Sequence, residues 1–190
     1  MKNLAILAFI AMILAQWAVP GKMIYDSERV ISEGVPYKFK TQPIDPSDPF
    51  RGKYITLSFD VDHAAVEKIP DNWHSGDDIY VTYTTDSAGF AKVQAISPTK
   101  PESGDYLFTT VNFATTYEPY EVSFNLPFNR FYLEESKASQ AEQLYWEAQR
   151  DSAQVAYGVV KLKGGSAVLT DVMINDKSVV DIITDLNADQ

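Results

Sequence analysis

The chain has 190 residues, 45% hydrophobic and 13% aromatic, enough for one packed domain with an appendage and too apolar for disorder. A formal net charge of −10 argues against a nucleic-acid surface, which needs clustered lysine and arginine. The absence of cysteine excludes disulfides, thiolate-ligated zinc and thiol catalysis.

In chain order, "MKNLAILAFIAMILAQWAVP" comes first. Lys2 and the α-amine form a short positive region, Leu4 to Leu14 is unbroken apolar sequence, and Gln16 is the one polar residue between there and Pro20. No Ala-x-Ala cleavage pattern and no lipobox cysteine follows. The reading is an uncleaved anchor, with a helix from Leu4 to Tyr25 long enough to cross a hydrocarbon core of about 30 Å. Trp17 and Tyr25 suit the interfaces, and Pro20 can kink the helix without ending it. Lys22 and Arg29 flank one end and Lys2 the other, so the charge bias on orientation is weak. The usual outcome for an N-terminal signal anchor puts the bulk of the chain outside the cytoplasm. "DSERVISEG" continues the helix, with Gly34 as its stop. The expected organisation is an anchor and juxtamembrane helix over residues 1–34, a single β-rich extracytoplasmic domain over 35–186 and a disordered tail over 187–190.

β-strand patterning begins after Gly34. "VPYKFKT" is a short strand. In "KYITLSFDVD", Ile55, Leu57, Phe59 and Val61 alternate with Tyr54, Thr56, Ser58 and Asp60, the cleanest period-2 signal in the chain. "HAAVEKIPDNWHSGD" reads as a loop with one helical turn at Ala64 to Lys68. Strands follow in "DIYVTYTT", "FAKVQAIS", "DYLFTTVNF" and "YEVSFNL", the last placing Tyr120, Val122, Phe124 and Leu126 inward.

"ESKASQAEQLYWEAQR" has no glycine or proline and predicts the one interior helix, about residues 137–150, with Ala141, Leu144, Tyr145 and Ala148 as its apolar stripe. Ser136 or Ser139 is the expected cap, and Ser139 with Glu142 fits a capping box. "VAYGVVKL" and "SAVLTDVMI" pair through Gly164-Gly165, and a last short strand is expected over Val179 to Ile183. Strands unspaced by helices imply an antiparallel sheet, so the fold class is mainly β or α+β, curled into a barrel or sandwich and preceded by a transmembrane helix.

Candidate chemistry is sparse. Asp60, Asp62, His63 and Glu67 lie near one another in sequence, but a solvated strand end explains them better than a metal. Glu134 and Glu135 before the helix could serve acid–base work on a sugar, or favour the helix N-terminus electrostatically. Tyr117, Tyr120, Phe124, Phe128, Phe131 and Tyr132 crowd sixteen residues. Core packing accounts for Tyr120 and Phe124 and leaves Phe128 and Phe131 unexplained.

"PIDPSDPFRGKYITLSF" resembles the signature of the GDYXXLXY family, Gly-Asp-Tyr-x-x-Leu-x-Tyr preceded by Pro-x-Asp-Pro and an arginine. Here it reads Pro43, Asp45, Pro46, Arg51, Gly52, Lys53, Tyr54, Leu57 and Phe59, with Lys53 in place of the aspartate and Phe59 in place of the last tyrosine. "NRFYLEES" and "YGVVKLKGGSAVLTDVMINDKS" are similar to later pieces of the family. "GDYLFTTV", Gly104 to Val111, is a false match. The resemblance implies a bacterial, membrane-anchored protein, often found with a polytopic membrane protein, with no established reaction and no catalytic residues to carry over.

The expectation is a non-enzymatic accessory domain held in the bacterial cytoplasmic membrane by residues 4–25. Its partners would be the bilayer and a polytopic membrane protein, with no nucleic acid, cofactor or metal. The candidate functional or interaction residues are Arg51, Gly52, Tyr54, Tyr132, Glu134 and Glu135. Without an aspartate at position 53, Arg51 is expected to seek Glu134 or Glu135. Two alternatives stand beside this: an envelope-glycan hydrolase using Glu134 or Glu135 with Arg51, and a barrel enclosing a small apolar ligand.

Overall fold

A computed structural model describes residues 2–43, 54–66, 73–115 and 117–188, apart from the side chains of Lys2, Leu4, Ala5 and Ala8. Helix α1 (Lys2–Glu33) runs through Pro20 without a break. It ends where the Gly34 amide donates to the Val30 carbonyl at 2.9 Å. Among the described residues no helix is long and apolar enough to cross a membrane, so the expected spanning helix is not supported there.

The body is antiparallel β. One five-stranded sheet has the order β12-β11-β10-β1-β3 and comprises β1 (Val35–Gln42), β3 (Ser58–Phe59), β10 (Ala156–Lys163), β11 (Ser166–Ile174) and β12 (Lys177–Ser178). The other has the order β4-β8-β7-β5-β6 and comprises β4 (His63–Ala65), β5 (Asp78–Thr85), β6 (Ala91–Ser97), β7 (Tyr106–Ala114) and β8 (Glu121–Phe124). Bridges at Lys38↔Phe90 and Leu107↔Gly165 link the two into a nearly closed barrel. Register shifts at Val159/Val160, Thr82/Tyr83 and Val111/Phe113 supply curl, because an extra residue in one strand bends it and raises its twist. The β10–β11 hairpin turns at Gly164 and Gly165, with φ of 57° and 94°, the doubly positive geometry that a two-residue turn matching strand twist requires.

The alternating residues over 54–61 are buried as expected, but they do not form one strand. Tyr54–Thr56 (β2) pairs with Arg130–Tyr132 (β9) as a separate ribbon, while β3 joins β1. At the break, the Leu57 amide donates to the Asn129 carbonyl at 2.9 Å. Period 2 reports which side faces the core, not which neighbour each strand chooses. The interior is filled by side chains. Phe39 packs edge-on against Phe59 at 5.9 Å, Tyr83 at 5.1 Å and Phe128 at 5.1 Å. Phe128 and Phe131 are thus core residues, although Phe128 lies outside any strand. Buried Tyr83 has no hydrogen-bond partner for its hydroxyl, and burial pushes its pKa above the ordinary range.

Three further corrections concern helices and loops. Helix α2 (Glu135–Arg150) begins earlier than predicted and has Glu134 at its N-cap, with no side-chain cap; neither Ser136 nor Ser139 fills that role. The predicted helical turn at 64–68 gives way to strand β4 over His63–Ala65, which pairs with β8; residues 67 and 68 lie outside the description. The expected strand over Val179–Ile183 is instead the start of α3 (Val179–Ala188). Val179 and Ile183, four apart, are its fully buried positions, the spacing of one helical face. A five-residue stretch of this kind, apolar except for Asp181, cannot by itself distinguish helix from strand. Packing of α3 against α2 and β11 decides it.

Candidate functional site

The β2–β9 ribbon gathers the predicted aromatic residues. Its register pairs Tyr54 with Tyr132, Ile55 with Phe131 and Thr56 with Arg130. Alternation sends Ile55 and Phe131 into the core and leaves the other pairs on the outer face. The Tyr54 and Tyr132 rings lie 5.4 Å apart at 56°, and the Arg130 guanidinium sits 5.1 Å from the centre of the Tyr54 ring. A cation over an exposed ring contributes about 0.5–1 kcal/mol. Tyr132 is 65% exposed, so the ribbon offers an exposed aromatic surface with a positive edge. Sequence reading chose both tyrosines and missed Arg130, whose partner on β2 is distant in the chain.

Glu134 and Glu135 follow this ribbon directly but belong to the start of α2. The Glu134 backbone carbonyl accepts from the Lys137 and Ala138 amides at 2.9 and 3.0 Å. Its exposed carboxylate lies 3.8 Å from the Lys137 ammonium. Both carboxylates stand at the positive end of the helix dipole, as one of the two sequence readings expected. Arg51 and Gly52 lie outside the described residues, and so does the predicted contact of Arg51 with Glu134 or Glu135.

Other polar clusters lie among the described residues. His63 Nδ1 lies 2.6 Å from Asp62 Oδ1, and its Nε2 lies 3.6 Å from Glu121 Oε1 across the β4–β8 pair. Among the described residues no group of three or more histidines or carboxylates could hold a metal ion, and Glu67 lies outside them. On the opposite sheet, Tyr157 Oη donates to Asp176 Oδ1 at 2.5 Å, and Lys38 Nζ reaches the same oxygen at 3.2 Å while lying 4.9 Å from the centre of the Tyr157 ring. The Tyr157 hydroxyl and then the Lys38 ammonium hold the Asp176 carboxyl below its ordinary pKa. This cluster braces the Asn175–Asp176 turn, where both residues have positive φ.

The family signature can now be placed. Tyr54 stands on the ribbon, while Leu57 and Phe59 enter the core. The chain matches the family described as GDYXXLXY protein over residues 16–172, most of its length. The chain belongs to the GDYXXLXY protein family. No curated protein and no solved structure matches it. The departure from the GDYXXLXY pattern at Phe59 is explained by packing. Its ring meets Phe39 at 5.9 Å and Phe128 at 5.4 Å, where a tyrosine hydroxyl would need a partner. The departure at Lys53 lies outside the described residues.

Sequence reading also missed the joint between α1 and the body. Val30 is buried against the body, and Lys161 Nζ donates to the Ile31 carbonyl at 2.5 Å. Lys163 pairs with the Glu33 carboxylate and holds it below its ordinary pKa. The last turn of α1 carries no basic residue of its own, so β10 supplies the cations that favour a helix C-terminus.

Proposed function

We propose that this protein is a membrane-attached accessory domain, non-enzymatic, that acts through a membrane-protein partner. Residues 4–25 sit in the bilayer, and the Tyr54–Arg130–Tyr132 ribbon is the surface offered to the partner. The observation that carries this reading is α1 itself. It extends roughly 48 Å at the usual helical rise, and its exposed apolar side chains include Leu7, Phe9, Leu14, Trp17, Val19 and Ile24. Among its described side chains only Val30 is buried. Large apolar side chains exposed on several sides of a helix favour an apolar surrounding, which water does not supply. Tyrosine and arginine are the residue types that dominate binding energy at protein interfaces, which supports the ribbon as the contact.

The test is membrane fractionation of cells making the full chain, with alkaline carbonate extraction, followed by purification in mild detergent. The expected result is retention in the membrane and co-purification of a membrane protein that is lost on Tyr132→Ala or Arg130→Glu. Release of the chain by carbonate overturns the membrane reading. Capture of the same partner by both ribbon variants overturns the ribbon's role.

A further inference from the structure

The outer face of the β2–β9 ribbon carries Tyr54 opposite Tyr132 and Thr56 opposite Arg130. None of the four is a carboxylate, in a chain with 26 acidic residues against 16 basic ones. A guanidinium has five N–H donors, and among the described residues Arg130 makes no ion pair and no hydrogen bond. What holds it is the Tyr54 ring, 5.1 Å away. We propose that this face receives an Asp or Glu side chain from a segment of the membrane-protein partner that lies just outside the bilayer.

Charge points to the carboxylate. Lysines elsewhere are matched within the chain, Lys137 by Glu134 and Lys163 by Glu33, whereas Arg130 is left for a group from outside. An arginine fork fits a carboxylate with two parallel N–H···O bonds. Such a pair contributes little while it stays in water, so it needs cover. Tyr54 and Tyr132, their rings 5.4 Å apart, stand beside the guanidinium, and a protein that buries those rings excludes water from the pair. Hydrated lipid headgroups would leave the pair wet. Position points to the segment. Pro127 lines the same hollow as Asp26 and Ser27, the two residues of α1 that follow the stretch placed in the bilayer. Three residues of chain reach at most about 10 Å, so Arg130 stands at the end of the body next to α1. The inference rests on the proposed function, which supplies both the bilayer and the partner.

The test puts the photo-crosslinker p-benzoylphenylalanine in place of Thr56, opposite Arg130, in the full chain made in its native cells. Membranes are irradiated and dissolved in mild detergent, and adducts are mapped by mass spectrometry. The expected result is an adduct on a peptide that flanks a membrane span of the partner and contains Asp or Glu. Arg130→Glu should cut its yield about tenfold or more. Exchanging the mapped carboxylate for arginine in the partner should bring the Arg130→Glu chain back to within about threefold of the original yield, which a merely structural role for Arg130 would not allow. Failure of that exchange, or an adduct on a peptide without Asp or Glu, overturns the carboxylate and leaves the membrane-partner reading intact. An adduct with lipid alone makes a headgroup the contact and overturns the inference likewise. No adduct in a preparation that still holds the partner overturns the ribbon. Release of the chain by carbonate, with no partner, overturns the proposed function itself. The crosslinker in place of Tyr132, which keeps an aromatic ring there, supplies a second reporter should the first variant fail to fold.

Discussion

Phe128→Ala tests whether the barrel interior is a packed core. Phe128 is 3% exposed, in the linker between β8 and β9, with Phe39 at 5.1 Å and Phe59 at 5.4 Å. Truncating a buried phenylalanine costs about 3–5 kcal/mol, the transfer of the ring plus the cavity left behind. With its edge-on contact to Phe39 and tilted contact to Phe59, ring pairs of a kind that each add about 0.5–1.5 kcal/mol beyond area, the expected loss is about 4 kcal/mol. That is a large share of a total stability of about 5–15 kcal/mol. With a urea slope of about 2 kcal/mol/M, the unfolding midpoint should fall by about 2 M. The assay is urea unfolding of the full chain in detergent, followed by circular dichroism, with Phe128→Leu as the volume-sparing control at under ~1.5 kcal/mol. A fall of under ~0.5 M for the alanine variant would refute the argument. It would mean that the ring lines an open space, as the apolar-ligand barrel requires.

Tyr83→Phe removes a buried hydroxyl without a partner, so it should be neutral or stabilising, by up to about 1 kcal/mol. Calorimetry should then show a Tm unchanged or raised by about 2–4 °C, and a clear drop would reveal a hidden partner. Gly165→Ala places a Cβ 2.9 Å from Tyr106 Cε2 at a φ of 94°, whereas the Cβ at Gly164 meets nothing within 4 Å. The first variant should lose more than about 1 kcal/mol and Gly164→Asn should be tolerated, with the two melting curves as the comparison. Asp176 has a lowered folded pKa, so its stabilising contribution is present above the unfolded carboxylate range and is lost as pH falls through the folded value. The difference in urea midpoint between wild type and Asp176→Asn should therefore be present at pH 7 and shrink below about pH 4. A difference that grows on acidification reverses the sign and refutes the pairing.

The candidate site was partly legible in sequence. Tyr54 could be chosen because it stands in a recognisable signature, and Tyr132 because it stands among aromatic residues before a helix. Arg130 could not, because its importance comes from cross-strand register: Thr56 opposite Arg130 brings the guanidinium over Tyr54. The Lys38–Tyr157–Asp176 cluster was equally invisible, since the three residues come from separate strands and a turn, with no spacing to mark them.

The inward faces of the strands were legible because each residue alternates with its neighbours, and that is a local property of extended backbone. Ile55, Leu57, Phe59, Val81 and Val122 all entered the core as their alternation required. The hairpin at Gly164–Gly165 and the apolar stripe of α2 were legible for the same reason: turn chemistry and helical period act over a few residues. Tertiary structure alone decided the rest. It divided the 54–61 stretch between two sheets, made a helix of Val179–Ile183, and turned Phe128 from an unexplained aromatic into a core plug. It also brought Lys161 and Lys163 to the end of α1. Those outcomes depend on which distant segments meet, and the free energy that selects them comes from burial and pairing across the chain, not from the preferences of the residues involved.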